Sequence, residues 1–302
     1  MKKKKFSVGL LFVYLVLVIW ALTTIYPLIW VVMNSFKDKK QIVSNSFSFP
    51  VGALFTLDNY EKAINKFSIF TAYRNSLLIS CTVAAVVILF AGLASYALVR
   101  YKFKGSGLMN SLVIAAMMFP VFATIIPVFR MESSWHIVNT NNLWLALLSC
   151  ALPQIAGNLA FAIVVLSGYI KGLPVELEEA AMIDGCGSFG TFLRVMIPNT
   201  LPLIATVLVF SIVWYYNDYY LSAIFFRADF PLSVSLTNMS KLLGTYSQGL
   251  QGMGGMTGQE LGLMKEPVLA CGCLLTLLPL ILMYVLLQRY FTEGVERSGI
   301  VG

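Results

Sequence analysis

The stretch GLPVELEEAAMIDGCGSFGTFLRVMIPN, Gly172–Asn199, is a polar interruption between two long apolar segments of the chain. Pro174 suits the first turn of a helix, where its missing N–H costs nothing, and the glutamates after it suit the positive end of a helix dipole. Gly185 should end this helix, because glycine readily adopts the left-handed conformation. A second short helix should follow and end at Pro198. The segment therefore predicts two short helices joined at a glycine.

The first of these helices offers a surface for another protein. One of its faces repeats at intervals of three and four residues and consists of Leu177, Ala180, Ala181 and Asp184. Two small alanines thus lie at the centre of that face. The second helix carries apolar residues, beginning with Phe189. Two short helices in a loop of a membrane protein, one with an alanine face, indicate a docking surface.

The composition is that of a membrane protein with several spans. Of the 302 residues, 58% are hydrophobic and only 12% are charged, whereas about 25% are charged in soluble domains. The net charge of +7 does not indicate nucleic-acid binding, because Lys2–Lys5 directly precede an apolar run, as in a cytoplasmic membrane anchor. That run is too long for the core of a signal peptide, so we expect it to be retained.

Six apolar segments are long enough to cross a bilayer, which takes about 20 residues. They are residues 8–33, 76–99, 108–129, 143–167, 201–226 and 268–288. The N-terminal lysines place the N-terminus in the cytoplasm, and an even number of spans places the C-terminus there as well. The sequence therefore predicts an all-α membrane protein with one transmembrane domain over residues 1–302. Its 172–199 loop lies in the cytoplasm, between spans four and five.

The fifth span combines aromatic residues with polar groups. It contains Trp214, Tyr215, Tyr216, Asn217, Asp218, Tyr219 and Tyr220 in succession. Asp218 is the only acid within a predicted span, and an ionisable residue there suggests a functional site. Aromatic faces beside an amide and a carboxylate suit a polyhydroxylated ligand, although an interfacial belt or helix packing would also explain the aromatic residues.

Helical spacing divides these residues between two faces. On an unbroken helix, Trp214, Asp218 and Leu221 share one side. A second side holds Tyr216, Asn217 and Tyr220. At most one of the two groups would therefore face a cavity.

The third and fourth spans contain prolines and amides. Pro120 and Pro127 in the third span and Pro153 in the fourth predict bent helices that lie against protein or a water-filled cavity. Gln154 and Asn158 lie four residues apart on one face of the fourth span. Such amides either bind neighbouring helices or line a polar path.

The sequence shows no catalytic centre. His136 is the only histidine and lies in a predicted outer loop, whereas a membrane hydrolase would need a base within a span beside a nucleophile. The cysteines lack metal-ligand spacing, and neither a Walker A nor an HExxH pattern occurs. We therefore expect a non-catalytic chain with no metal and no cofactor of its own.

The 172–199 segment resembles the EAA loop of bacterial ABC importer permeases. Glu179-Ala180-Ala181 is followed after three residues by Gly185 and later by Ile197-Pro198, and the longer form EEAAMIDG is similar to the carbohydrate-uptake branch. Further stretches that look like this branch are YPLIWVVMNSFK (26–37), TLDNYEKAI (56–64), SYALVRYKFKG (95–105) and LQRYFTEGV (287–295). The resemblance thus covers nearly the whole chain.

The resemblance implies a permease subunit of an ATP-driven importer in the bacterial cytoplasmic membrane. A second, homologous permease would pair with it, a cytoplasmic ATPase dimer would bind ATP and Mg²⁺, and an extracytoplasmic binding protein would deliver a sugar or oligosaccharide. The residues that couple the chain to the ATPase would be Glu179, Ala180, Ala181, Asp184, Gly185 and Phe189. Glu179 would pair with basic groups of the ATPase, and Gly185 would form the turn.

The candidate substrate pathway rests on the polar and aromatic residues within the spans. They are Asn158, Trp214, Tyr216, Asn217 and Asp218. An ABC permease for amino acids or peptides is the alternative. An ion-coupled secondary transporter should show several intramembrane ionisable groups or repeated broken helices, whereas here Asp218 stands alone.

Overall fold

The structure is a computed structural model that describes residues 8–50, 55–66, 68–138, 140–226, 230–251 and 258–299. Its helices are α1 Val8–Ser35, α2 Lys39–Ser44, α3 Asp58–Lys66, α4 Ile69–Arg100, α5 Ser106–Met117, α6 Val121–Ser134, α7 Leu143–Gly172, α8 Glu176–Ile183, α9 Ser188–Thr191, α10 Ile197–Tyr216, α11 Tyr220–Phe225, α12 Leu232–Gln251 and α13 Gly258–Gly299. Within these ranges the only β-type pairing is an isolated bridge between Lys37 and Phe55. The prediction of an all-α protein is confirmed.

Five stretches of helix are long and apolar enough to cross a membrane. They are Gly9–Ser35, Ile69–Arg100, Leu143–Gly172, Ser188–Tyr216 and Glu266–Leu286. The pair α5 and α6 makes a sixth candidate if it counts as one bent span, which gives the six spans predicted. Lys2–Lys5, on which the predicted orientation rests, lie outside the described residues.

The third predicted span is broken at a proline. The axes of α5 and α6 differ by 99°, and Pro120 stands immediately before α6 with extended backbone angles. Proline cannot donate a backbone hydrogen bond, and its ring clashes with a preceding helical turn, which favours a break at this position. Pro127 and Pro153, by contrast, lie inside α6 and α7. The bend that the prolines predicted is therefore concentrated at Pro120.

The fifth predicted span, 201–226, is not one helix. α10 ends at Tyr216 and α11 begins at Tyr220. The Asp218 carboxylate accepts hydrogen bonds from the backbone N–H of Ser222 at 2.8 Å and from its hydroxyl at 3.0 Å. A side chain that satisfies the free N–H groups of a new helix stabilises that helix start. The prediction of an unbroken span was wrong for this reason.

The helix that precedes the fifth span passes through Pro198, contrary to the prediction that Pro198 ends it. A wider π turn spans Phe192–Met196, and the N–H of Ile197 donates to the carbonyl of Phe192, five residues back. Because this turn already shifts the hydrogen-bond pattern, Pro198 enters the helix without ending it. Ser188–Tyr216 is consequently a single helix of 29 residues.

The chain divides into two compact units. The first comprises Met1–Ile69 with Leu236–Leu278. Within it, the buried Asn59 amide donates to the carbonyls of Ser35 at 3.0 Å and Lys37 at 2.8 Å. The Lys37 ammonium is also buried and donates to the carbonyl of Ser46, and burial lowers the pKa of Lys37. The end of α1 is thereby fixed to α3.

The second unit comprises Phe70–Ser235 with Pro279–Gly302. Its core is a cluster of apolar side chains drawn from α4, α7, α10 and α11, including Val83, Val87, Leu166, Val207 and Phe225. This unit contains both the 172–199 segment and the broken fifth span. The candidate functional residues all belong to it.

Candidate functional site

The first predicted helix of the 172–199 segment is α8, and Gly185 lies just beyond its end. Gly185 has φ +83°, in the left-handed region. Its N–H donates to the carbonyl of Met182 at 3.1 Å, and the N–H of Cys186 donates to that of Ala181 at 2.9 Å. These two bonds and the glycine form a Schellman motif. The sequence suggested that Pro174 lies in the first turn of this helix, but it lies just before α8.

Most of the predicted coupling residues are exposed. Glu179, Ala180, Asp184 and Gly185 are all accessible, and 65% of Phe189 is exposed. Ala181 is buried, because α8 lies against α9 and the π turn. The predicted face with two central alanines therefore does not exist as one exposed surface. Exposed apolar residues, Leu177, Met182 and Ile183, accompany the acids instead.

A buried ion pair connects α8 to the end of α4. The guanidinium Nε of Arg100 lies 2.5 Å from the carboxylate Oε1 of Glu178, and both side chains are at least nine-tenths buried. The hydroxyl of Tyr96 donates to the second carboxylate oxygen of Glu178 at 3.3 Å. Arg100 also donates to the carbonyl of Leu173 at 2.8 Å. One arginine thus holds both the start of α8 and the residue after α7.

An apolar cluster lies beside this ion pair. It consists of Tyr96 of α4, Ile170 of α7, and Phe192 and Met196 of the π turn. The rings of Tyr96 and Phe192 lie 5.2 Å apart. Three chain segments meet here, so the base of the 172–199 segment is fixed by packing as well as by charge.

A cavity of about 700 Å³ lies between α6, α7, α10 and α11. Its aromatic lining residues are Phe122, Phe210, Trp214, Tyr219 and Tyr220, and its polar ones are Gln154, Asn158, Asn217 and Asp218. Pro120 and Pro153 also line it. The cavity thus lies beside the break between α5 and α6 and beside the break between α10 and α11.

Asp218 organises the polar side of the cavity. Besides Ser222, its carboxylate accepts a hydrogen bond from the amide of Gln154 at 3.4 Å. The hydroxyl of Ser233 donates to the backbone carbonyl of Asp218 at 2.6 Å. Asn158 donates to the carbonyl of Gln154 at 3.2 Å. Gln154 therefore joins α7 to the helix break and also lines the cavity.

Four of the five predicted pathway residues line the cavity, and Tyr216 does not. Trp214 is 69% exposed, whereas Tyr216 is 2% exposed and lies in the packed interior. Asn217 and Tyr220 line the same cavity as Trp214 and Asp218. The expectation that at most one of the two groups would face a cavity was wrong, because the helix break at residues 217–219 ends the helical spacing on which it rested.

Sequence reasoning missed two buried acids. Glu178 was taken as one of three dipole-favouring glutamates, and its partner Arg100 lies 78 residues away, so no local pattern connects them. Glu132 was assigned to a loop, but it is fully buried near the end of α6 and accepts a hydrogen bond from Ser149 at 2.7 Å. For Glu178, the available signal was its i, i+3 spacing from Ala181, which places both residues on one face of the helix. That face is buried.

Comparison with known proteins gives consistent matches. The family described as "Binding-protein-dependent transport system inner membrane component" matches residues 84–297. The diacetylchitobiose uptake system permease protein NgcG of Streptomyces coelicolor is 29% identical, over 93% of this chain and 86% of its own. The arabinooligosaccharides transport system permease protein AraQ of Halalkalibacterium halodurans is 26% identical, over 93% of each chain.

A solved structure has the same fold. It is a chain of a bacterial ABC transporter that imports the acidic polysaccharide alginate, and it superposes with a TM-score of 0.77 at 20% identity. The match covers 96% of this chain and 100% of that one. The fold described above therefore belongs to a known architecture.

Proposed function

Because the chain belongs to the family of binding-protein-dependent transport system inner membrane components, we propose that it is one of two permease subunits of an ATP-driven sugar importer. It is a multi-pass protein of the cytoplasmic membrane. A second, homologous permease completes the translocation pathway, and an extracytoplasmic binding protein delivers the sugar. ATP and Mg²⁺ bind to a cytoplasmic ATPase dimer, so this chain moves the solute and catalyses no reaction.

The wall of the cavity is the observation that carries the sugar assignment. Ligand sites combine apolar and aromatic walls with a few placed polar groups. Here aromatic rings of α6, α10 and α11 face the same space as three amides and one carboxylate. Rings pack against the C–H faces of a sugar, and amides bind its hydroxyl groups. The oligosaccharides named for NgcG and AraQ support the same substrate class.

The charge of the cavity favours an uncharged sugar. Asp218 is the one carboxylate among the described lining residues, and they include no Lys, Arg or His. Two negative charges that approach each other away from bulk water repel strongly. The proposed substrate is therefore a neutral saccharide, unlike the acidic polysaccharide named for the structural relative.

The 172–199 segment is the proposed contact with the ATPase. Glu179 and Asp184 present acidic groups, and Ile183 and Phe189 present apolar surface that is 85% and 65% exposed. A surface with an apolar centre and charged groups around it is typical of a protein interface. Basic groups of the ATPase would pair with the acids, and a groove would take the apolar side chains.

Deletion of the gene followed by uptake measurements tests this function. In the native bacterium, uptake of labelled neutral oligosaccharides, uronic-acid oligosaccharides and amino acids would be compared with and without the gene. We expect loss of uptake of a neutral saccharide alone. In the parent strain, that uptake should stop when arsenate depletes ATP and should continue when a protonophore collapses the ion gradient.

Two outcomes would contradict the proposal. Uptake loss restricted to amino acids or peptides would assign the permease to a different solute. Saccharide uptake that persists without ATP and stops with the protonophore would indicate an ion-coupled carrier.

A further inference from the structure

The ion pair between Arg100 and Glu178 lies where α4, α7 and α8 meet. Neither residue is on the exposed surface of the 172–199 segment, since their side chains are 10% and 6% exposed. The pair therefore cannot serve as a docking contact for the ATPase. Its position suits an internal connection between α8 and the membrane helices.

Burial makes this connection rigid. A buried charge whose partner is removed is strongly destabilised, so α8 cannot move away from α4 without leaving two uncompensated charges. Tyr96 and the carbonyl of Leu173 provide further hydrogen bonds on either side of the pair. With four groups in one network, the start of α8 is held in a single position.

The other end of α4 lies at the helix break. Ser76, in the third turn of α4, accepts a hydrogen bond from the N–H of Leu232 at 2.8 Å. The next residue, Ser233, donates to the backbone carbonyl of Asp218 at 2.6 Å, within the break at residues 217–219. This break forms one wall of the cavity. A single helix, α4, thus extends from the 172–199 segment to the cavity region.

We propose that Arg100 and Glu178 are positioning residues that make α4 and α8 move as one body. A displacement of α8 then moves α4, and α4 in turn moves the break between α10 and α11. The continuous helix Ser188–Tyr216 provides a second connection between the same two regions. Without the pair, α8 can tilt about Gly185 while α4 stays in place. The inference rests on the proposed function, because it assumes that the ATPase moves α8.

Charge reversal in the reconstituted importer tests the pair. Complexes of this permease with its partner permease, ATPase and binding protein would carry Arg100→Glu, Glu178→Arg or both changes. In proteoliposomes, MgATP hydrolysis and uptake of the saccharide identified by the deletion strain give the number of ATP molecules used per sugar. Each single variant should raise this ratio about fivefold or more, and the double variant should return it to within about twofold of the wild type.

A matched control separates the pair from the general effect of charge. Lys102→Glu reverses an exposed charge two residues after Arg100 and outside the 172–199 segment, and it should leave the ratio unchanged. Arg100→Lys keeps the charge and should stay within about threefold of the wild-type ratio. Co-purification of the ATPase with each variant reports assembly.

The outcomes distinguish the two proposals. Single variants that assemble and keep the wild-type ratio would overturn the role of the pair. So would a defect, in coupling or in assembly, that the double variant does not repair. A wild-type complex that shows no MgATP-dependent uptake would refute the proposed function itself, and the inference with it.

Discussion

Replacement of Gly185 by valine should uncouple ATP hydrolysis from transport. Gly185 has φ +83° and forms the Schellman turn between α8 and α9. A Cβ atom at this position would meet no heavy atom within 4 Å, so the effect comes from the backbone and not from a clash. An L-residue in the left-handed region costs about 1–2 kcal/mol. A β-branched residue is a clear outlier there.

The magnitude follows from that strain. Since 1.4 kcal/mol is a factor of ten, the native turn should lose population by about 5–30-fold relative to other turn conformations. α8 would then lose its fixed angle to α9 while keeping its docking residues. We expect about fivefold or more additional ATP hydrolysed per sugar, with normal binding of the ATPase. Uptake and ATP hydrolysis in the same proteoliposomes measure this ratio.

Two variants control for side-chain size. Gly187→Val adds the same atoms two residues later, where φ is −71° and no heavy atom lies within 4 Å of the new Cβ. This variant should behave as the wild type. Gly185→Asn should be intermediate, because asparagine tolerates the left-handed region. Coupled transport by Gly185→Val that equals transport by Gly187→Val would refute the reasoning.

Three further predictions concern the cavity and the packing of the helices. Trp214→Ala removes one aromatic wall of the cavity and should raise the sugar concentration for half-maximal transport about tenfold. Trp144→Ala removes a similarly exposed tryptophan outside the cavity and should leave this concentration unchanged. Equal effects of the two changes would contradict a sugar contact at Trp214. Asp218→Ala removes the hydrogen-bond acceptor for Ser222 and Gln154. It should lower the free energy of unfolding by about 0.5–2 kcal/mol and reduce uptake while the complex still assembles. Loss of assembly alone would show that Asp218 is purely structural. Gly272→Leu should destabilise the chain by about 1–3 kcal/mol, because a Cβ at this position would lie 2.8 Å from the side chain of Leu236 and close to Met239. Thermal unfolding measures this loss. Gly107→Leu, where no heavy atom lies within 4 Å of the new Cβ, should leave the stability unchanged.

The sequence predicted those features that depend on local chemistry. Apolar runs locate the membrane helices, because burial of the backbone in lipid requires them. Gly185 marks the end of α8, since few other residues adopt its conformation. The aromatic and polar residues after Trp214 mark the cavity, because a carboxylate within a span has to be stabilised by neighbours.

Features that depend on distant residues or on competing local bonds were not predictable in the same way. The Arg100–Glu178 pair joins residues 78 positions apart, and the sequence around either residue does not indicate its partner. Pro198 normally ends a helix, but the π turn before it changes the outcome. The break at residues 217–219 contains neither glycine nor proline. At this break the carboxylate of Asp218, two residues before α11, accepts hydrogen bonds from Ser222 in the first turn of that helix.

The unbroken passage of the helix through Pro198 has a mechanical consequence. Ser188–Tyr216 has 29 residues and is about 43 Å long at 1.5 Å per residue. One end of this helix, at Ser188, lies in the 172–199 segment, and the other end, at Tyr216, adjoins the cavity wall formed by residues 217–219. A rotation of about 5° about Ser188 displaces Tyr216 by about 4 Å over this length. That exceeds the length of the hydrogen bonds that Asp218 makes at the break, so a small rotation of the helix is large enough to exchange them.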